Sequence, residues 1–251
     1  MNITPLARER RHTLFFLREI RSVMPVFLDT EVDLGTVLAH RELAGGEGDR
    51  FSVVSYVLHA ASRALADHPQ ANAAIGGRLR QRVAGYPSVN VKLTLDKSLN
   101  GQRVVLAAVL PAVDTAGLRE IQKLVEHYRD GSADTMAEFQ GVRGMQRLPR
   151  PLGAALFRLG VRPLRRRAET FGTLAVTSLG HRPVDGFHSV GGTAVTLGVG
   201  RFIDRAVVKD GAIVVAPVLR LNMAFDHRVV DGAEAADLLA DIKRNLEEFA
   251  A

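Results

Sequence analysis

Two hydrophobic periods alternate along the chain. Val53, Val54, Val57, Leu58, Ala61 and Leu65 recur at helical spacing with few charges between them, which predicts a core helix over 51–68. Val89, Val91, Leu93 and Leu95 then alternate with polar neighbours, the period of a half-buried strand. Asn100-Gly101 is a hairpin turn signal, and 103–110 returns as a second strand. Residues 115–129 form an amphipathic helix, with Leu118, Ile121, Leu124 and Val125 on one face. Upstream, 5–23 reads as a basic helix with Leu14, Phe16, Leu17 and Ile20 as its buried stripe, stopped by Pro25. An extended run over 26–32 follows, and Asp33 is placed to cap a helix reaching Leu43 and ended by Gly45 to Gly48. The passage from Gly76 to Pro87 is punctuated by Gly and Pro and reads as irregular.

The last third is rich in strands. A strand over 173–176 runs into Thr177-Ser178-Leu179-Gly180, and a loop bearing Gly and His leads to strands over 194–199 and 202–208. After the turn Asp210-Gly211, a long strand over 212–225 enters a helix over 233–249. With no linker-like or low-complexity tract, the expectation is one domain over 1–251, with 141–169 as an arginine-rich insertion. The fold class expected is two-layer α/β (α+β), a mixed sheet covered by helices.

Composition narrows the function classes. The chain is 47% apolar, enough for a real core, but no segment approaches the roughly 20 apolar residues that span a bilayer. Residues 1–11 lack the features of a signal peptide, so a soluble protein located in the cytoplasm and acting away from membranes is expected. Cysteine is absent, which excludes a thiolate nucleophile and thiolate metal sites. The net charge of +6 is local. Residues 141–168 hold eight arginines and no acid, and without those eight the remaining 25 basic residues face 27 acidic ones. Such a segment is a solvated helix face, a dock for the phosphates of a ligand, or a contact for an acidic carrier protein. Nucleic acid is not expected, because no aromatics interleave the arginines. No metal is expected either, since the histidines show no His-Glu-x-x-His spacing. Gly198-x-Gly200 lacks the third glycine and following helix of a dinucleotide fingerprint, and no Gly-x-Ser-x-Gly elbow occurs.

The candidate chemistry lies in Phe225-Asp226-His227-Arg228-Val229-Val230-Asp231-Gly232, at a strand-to-helix junction. Histidine exchanges protons near neutrality, and an aspartate four residues on can orient it or pair with an arginine. His181-Arg182-Pro183-Val184-Asp185-Gly186 echoes this hexapeptide, but a proline interrupts it and no helix follows. His227 is therefore the favoured base, with His181 and Asp185 as minor candidates for the same cleft.

The octet at 225–232, with the following Ala233-Glu234-Ala235-Ala236, resembles the hallmark of the dihydrolipoyl acyltransferase family, the catalytic core of 2-oxoacid dehydrogenase complexes, related to chloramphenicol acetyltransferase. Phe171 to Gly180 and Val207 to Gly211 are similar to that family's strand and hairpin, and Ala61, Ala64, Leu65, His68, Pro69 and Asn72 follow its pattern more weakly. The resemblance implies a chloramphenicol acetyltransferase-like fold and a homotrimer whose sites are shared between subunits. It implies His227 as general base, and Asp231 as its support through an arginine that matches Arg11, or Arg10 one gap away. Thr177 stands where the family has an oxyanion-binding serine, with Gly232 completing the motif. Ser178, Arg165 and Arg166 are the candidates for contacting acetyl-CoA, which serves as co-substrate and not as a bound cofactor.

The expected reaction is acetyl transfer from acyl-CoA to a small-molecule hydroxyl, for example a hydroxymethyl tetronate in antibiotic biosynthesis. The length leaves no room for a lipoyl domain, so the alternative within the same chemistry is a dihydrolipoamide acyltransferase served by lipoyl domains in trans. A non-catalytic scaffold subunit is the alternative from another class.

Overall fold

The computed structural model describes residues 1, 3–77 and 79–249. A six-stranded mixed sheet dominates, in the order β1-β8-β7-β6-β4-β5. Its strands are β1 (Pro25–Asp33), β4 (Val91–Leu99), β5 (Gln102–Leu110), β6 (Leu174–Ser178), β7 (Val195–Lys209) and β8 (Ala212–Asp226). β6 runs parallel to both β4 and β7, and the other pairings are antiparallel. Parallel neighbours need long crossovers. Here α4 (Leu118–Asp130) and three further helices, α5 (Gln140–Arg147), α6 (Arg150–Val161) and α7 (Leu164–Phe171), lie between β5 and β6.

One sheet face is covered by α3 (Val53–Asp67), α4 and α8 (Gly232–Glu247) and holds the main core. Leu174 and Val176 of β6, Leu197 of β7 and Leu221, Met223 and Phe225 of β8 point into it beside Tyr56, Leu58, Ile121, Leu238 and Ile242. Ser52 starts α3 by accepting the Ser55 N–H at 3.2 Å, an N-cap that fixes where the core helix begins. The opposite face is covered by the irregular chain 179–193, which lies directly on β7. A Cβ on Gly198 would sit 2.2 Å from the Phe187 carbonyl oxygen, and one on Gly200 2.2 Å from that of Asp185. The glycines therefore permit close backbone approach, in place of the dinucleotide role already set aside.

Several expected elements shift. The two strands expected over 194–208 are one strand, β7, with a register break between Val199 and Phe202. The passage around Gly76 contains a small hairpin, β2 (Ala73–Gly76) paired with β3 (Arg82–Gly85). Asp33 does not cap a helix from the cap position itself, which is Leu34 ahead of α2 (Gly35–Gly46), but its carboxylate accepts the Gly35 N–H at 2.8 Å. The N-terminal helix is α1 (Arg11–Glu19), flanked by 3-10 turns, and its expected stripe is corrected. His12 and Phe15 are buried, whereas Leu14 and Leu17 are 39% and 47% exposed. The cause is the packing partner: α1 lies against α6 of the arginine-rich segment, with Phe15 beside Phe157 and under Gly153, and His12 bonds the Val105 carbonyl and Gln146.

Candidate active site

Asp226, the last residue of β8, builds the turn that carries His227. Its backbone carbonyl accepts the N–H groups of Val229 and Val230, and its carboxylate accepts the N–H of Met24 and of Arg228 and the Arg228 guanidinium. His227 in turn donates its own N–H to the Met24 carbonyl at 2.9 Å. The turn is thus tied to the chain entering β1 by two hydrogen bonds to Met24, and the histidine backbone is held on a rigid frame. The imidazole stands edge-on to Phe225, centroids 5.6 Å apart, and about half of it remains open. Asp231 ends the turn as the cap residue of α8, and its carboxylate lies 3.7 Å from Nδ1, an ion-pair distance beyond hydrogen-bond reach. α8 is pinned by His68, whose Nδ1 and Nε2 meet Glu234 and Asp241 at 2.9 Å each. Burial would lower the His68 pKa, but the two carboxylates outweigh it and raise it.

A cleft of about 810 Å³ opens beside this turn. Asp226, Arg228 and Val229 line it from β8, Glu19 to Val23 from the end of α1, and Ala74 to Gly77 from the small hairpin. The arginine-rich segment supplies the remaining wall, with Arg158, Val161, Arg162, Arg167 and Phe171. Glu19 receives the guanidiniums of Arg158 at 2.7 Å and Arg162 at 2.6 Å. Burial alone would raise the Glu19 carboxyl, yet these two partners hold it below the ordinary glutamate value. Arg167 donates to the carbonyls of Val161 and Gly192 and lies over Phe171. Beneath it Lys92 is buried, donating to the Gly191 carbonyl and standing 3.5 Å from the Phe171 ring centre. Burial, and then the neighbouring Arg167, push its amine well below the ordinary lysine range.

Thr177 lies elsewhere. It is the second-last residue of β6, half-buried, on the sheet face away from the main core, and its hydroxyl has no hydrogen-bond partner among the described residues. It pairs with Gly198, which pairs with Asn222, four residues before Asp226. At about 3.4 Å per residue that offset is about 14 Å along the strands, in addition to two strand spacings of about 5 Å. Within one chain the histidine and the threonine hydroxyl cannot meet on one carbonyl.

The other candidates separate likewise. Arg11 does not pair with Asp231; it donates to the carbonyls of Gln146 and Leu148, closing the end of α5. Arg10 is exposed. Gly232 begins α8 with open space where a Cβ would go, so no contact in this chain requires glycine there. Ser178 sits with Thr177 at the far end of β6, and Arg165 and Arg166 are exposed on α7 outside the cleft. Arg158, Arg162 and Arg167 of the same segment line it instead, a choice the sequence left unmarked except for Glu19, an acid facing a segment that has none. His181 is exposed, and Asp185 is bonded to Arg201 at 2.6 Å on the loop over β7.

Comparison with known proteins bears out the resemblance. Residues 164–251 match the family model for 2-oxoacid dehydrogenases acyltransferase (catalytic domain). The dihydrolipoyllysine-residue acetyltransferase component of the pyruvate dehydrogenase complex of Bacillus subtilis (strain 168) is 27% identical over 237 residues, 89% of this chain and 45% of that protein. The chain thus spans about half the length of the curated relatives it matches. The fold matches the Azotobacter vinelandii dihydrolipoamide acetyltransferase at a TM-score of 0.73 and 19% identity, covering 99% of this chain and 92% of the other. It matches a chloramphenicol acetyltransferase at 0.50 and 16%, covering 98% of each. The chain has the expected mixed-sheet α+β fold, and its C-terminal third is similar to the catalytic domain of the 2-oxoacid dehydrogenase acyltransferases.

Proposed function

We propose that the chain transfers an acyl group between CoA and a thiol of the dihydrolipoamide kind, at a site completed by a second copy of itself. The observation that carries this reading is the separation of His227 from Thr177 by the length of β6. His227 is rigidly held beside the cleft with its ring half open, Thr177 offers an unpaired hydroxyl near the far end of β6, and a neighbouring subunit supplies the missing half to each. In the Azotobacter vinelandii enzyme a serine, a histidine and an asparagine four positions beyond that histidine are the residues studied for their role in the catalytic mechanism. His227 and Asp231 reproduce the spacing of the latter two, and Thr177 offers a hydroxyl for the first.

The chemistry follows from these groups. The neutral imidazole removes the proton of the acceptor thiol, and the sulfur attacks the carbonyl carbon of the acyl-CoA thioester. The carbonyl oxygen becomes an oxyanion to which the Thr177 hydroxyl of the neighbouring subunit donates. As the carbon–sulfur bond to CoA breaks, the imidazolium returns the proton to the CoA sulfur. Asp231, weakly placed in one chain, steadies the imidazole once its surroundings are closed by the neighbour.

A hydroxyl acceptor, such as the hydroxymethyl tetronate expected from the sequence, is the second reading. The cleft volume supports it, lying in the roughly 300–1,000 Å³ range of small-molecule sites. Similarity to a dihydrolipoyllysine-residue acetyltransferase favours the thiol. Incubating the protein with acetyl-CoA and either dihydrolipoamide or hydroxylated acceptors separates them: brisk turnover of dihydrolipoamide is expected, and turnover of hydroxyls alone overturns the first reading. The shared site has its own test. His227→Ala and Thr177→Val proteins, each nearly inactive, regain about a quarter of full activity when unfolded and refolded together in equal amounts, because one site in four then unites both intact residues. No recovery on mixing, or a monomer in light scattering, refutes the two-subunit site.

A further inference from the structure

Residues 141–168 hold eight arginines and no acid, so a carboxylate partner for any of them has to come from elsewhere in the chain. Arg158 and Arg162 share Glu19 of α1, and Arg228, also on the cleft, is paired with Asp226. Arg167 is the exception. It donates only to the carbonyls of Val161 and Gly192, no carboxylate lies within ion-pair distance of it among the described residues, and its solvent-shielded Nε has no acceptor there. Lys92, the cation beneath it, has only the Gly191 carbonyl and the same Phe171 ring. The cleft lining thus holds four arginines against two acids, and both acids are taken.

Holding a guanidinium out of water with no opposite charge is costly, and carbonyl dipoles and an aromatic face offset only part of that cost. As a clamp on the chain at Gly192, Arg167 uses two of its five N–H donors, and clamping needs no net charge on the cleft. Its seat is closely packed. Gly192 adopts a φ of 80°, and a Cβ there would stand 2.6 Å from Ile20 and 2.9 Å from Phe171. A fixed, uncompensated cation in a cleft beside the His227 turn calls for a ligand that brings one negative charge. A carboxylate matches it, one charge for one and fork for fork. A phosphate is a poorer match, because a dianion needs a second free cation and Arg158, Arg162 and Arg228 already have acids. The phosphates of CoA are also separated from its sulfur by the whole pantetheine arm, whereas Asp226, Arg228 and Arg167 line one cleft.

We propose that Arg167 selects a small substrate bearing a carboxylate, on the acyl group or on the acceptor, and seats that carboxylate in the cleft. This rests on the acyl-transfer reading and adds to it the charge of the substrate. Two pairs of compounds that differ at the carboxylate test it: succinyl-CoA against butyryl-CoA with dihydrolipoamide as acceptor, and dihydrolipoate against dihydrolipoamide with acetyl-CoA as donor. In one pair kcat/KM for the anionic member exceeds that of the neutral one at least about tenfold, the first pair assigning the carboxylate to the acyl group and the second to the acceptor. Arg167→Gln brings that ratio to within about twofold of unity, and Arg167→Lys, which keeps the charge, retains part of it. Because each ratio is taken within one protein, a general loss of folded enzyme leaves it unmoved. Ratios near unity in both pairs for the intact protein, or a ratio that survives in Arg167→Gln, overturn the proposal. So does a preference for acetyl-CoA over its dephospho form that vanishes in Arg167→Gln, which assigns the arginine to the nucleotide. If the intact protein uses no acyl-CoA at all, the acyl-transfer reading fails, and calorimetric titration with succinate decides the anion site alone. Saturable binding that Arg167→Gln abolishes supports the site, and no binding, or equal binding by both proteins, overturns it.

Discussion

The chain holds the same hexapeptide twice, His-Arg-x-Val-Asp-Gly at 181–186 and at 227–232, and the two copies do opposite work. The first lies in irregular chain pressed onto β7. Its aspartate is spent on Arg201, its backbone carbonyl fills the space that Gly200 leaves open, and its histidine hangs in solvent. The second follows β8 and precedes α8. There Asp226 gathers Met24, Arg228, Val229 and Val230 into one turn beside a cleft, and the histidine ring is left half open. What precedes and follows the motif decides its chemistry. A strand ending in an aspartate makes a frame, whereas a loop containing proline makes a cover.

His227→Ala lowers kcat by about 10² to 10⁴, the range for losing a general base, while His181→Ala stays within about twofold. Equal losses from the two, measured as initial rates at saturating acetyl-CoA, would return the echo to the active site. Next comes the cover itself. Gly198→Ala forces a methyl group against the Phe187 carbonyl, and a stability loss of about 1–3 kcal/mol is expected from such overpacking. Denaturant unfolding measures it. A neutral result would mean that the first copy does not need its close seat on β7.

This contrast was half legible in the sequence. The change from strand period to helix period around 226–232 is local, so the junction and its histidine stood out, and β4, β5 and α4 emerged for the same reason. What failed depended on partners far along the chain. The inward face of α1 is set by α6, roughly 140 residues later, so Phe15 replaces Leu14 and Leu17 inside. Arg11 meets the end of α5 instead of Asp231, and which arginines reach the cleft depends on how α6 and α7 turn against α1. The hairpin β2–β3 is short and rich in Gly and Ala, leaving no alternation to read.

The helix that follows the second copy helps to keep it rigid. α8 follows it directly and is clamped by His68 through Glu234 and Asp241, a contact with no equivalent after the first copy. Because the folded pKa of His68 is raised above its unfolded value near 6.5, the clamp's contribution is complete below that value and fades as pH rises through the folded pKa. His68→Gln therefore lowers stability by on the order of 1 kcal/mol at pH 6, and the gap from the intact protein narrows toward pH 9. Thermal melts of the two proteins across that range measure it. A gap that widens with pH would mean that His68 is held neutral between its two acids. A kcat of His68→Gln equal to that of the intact protein at every pH would show that the Asp226 frame orients His227 without help from α8.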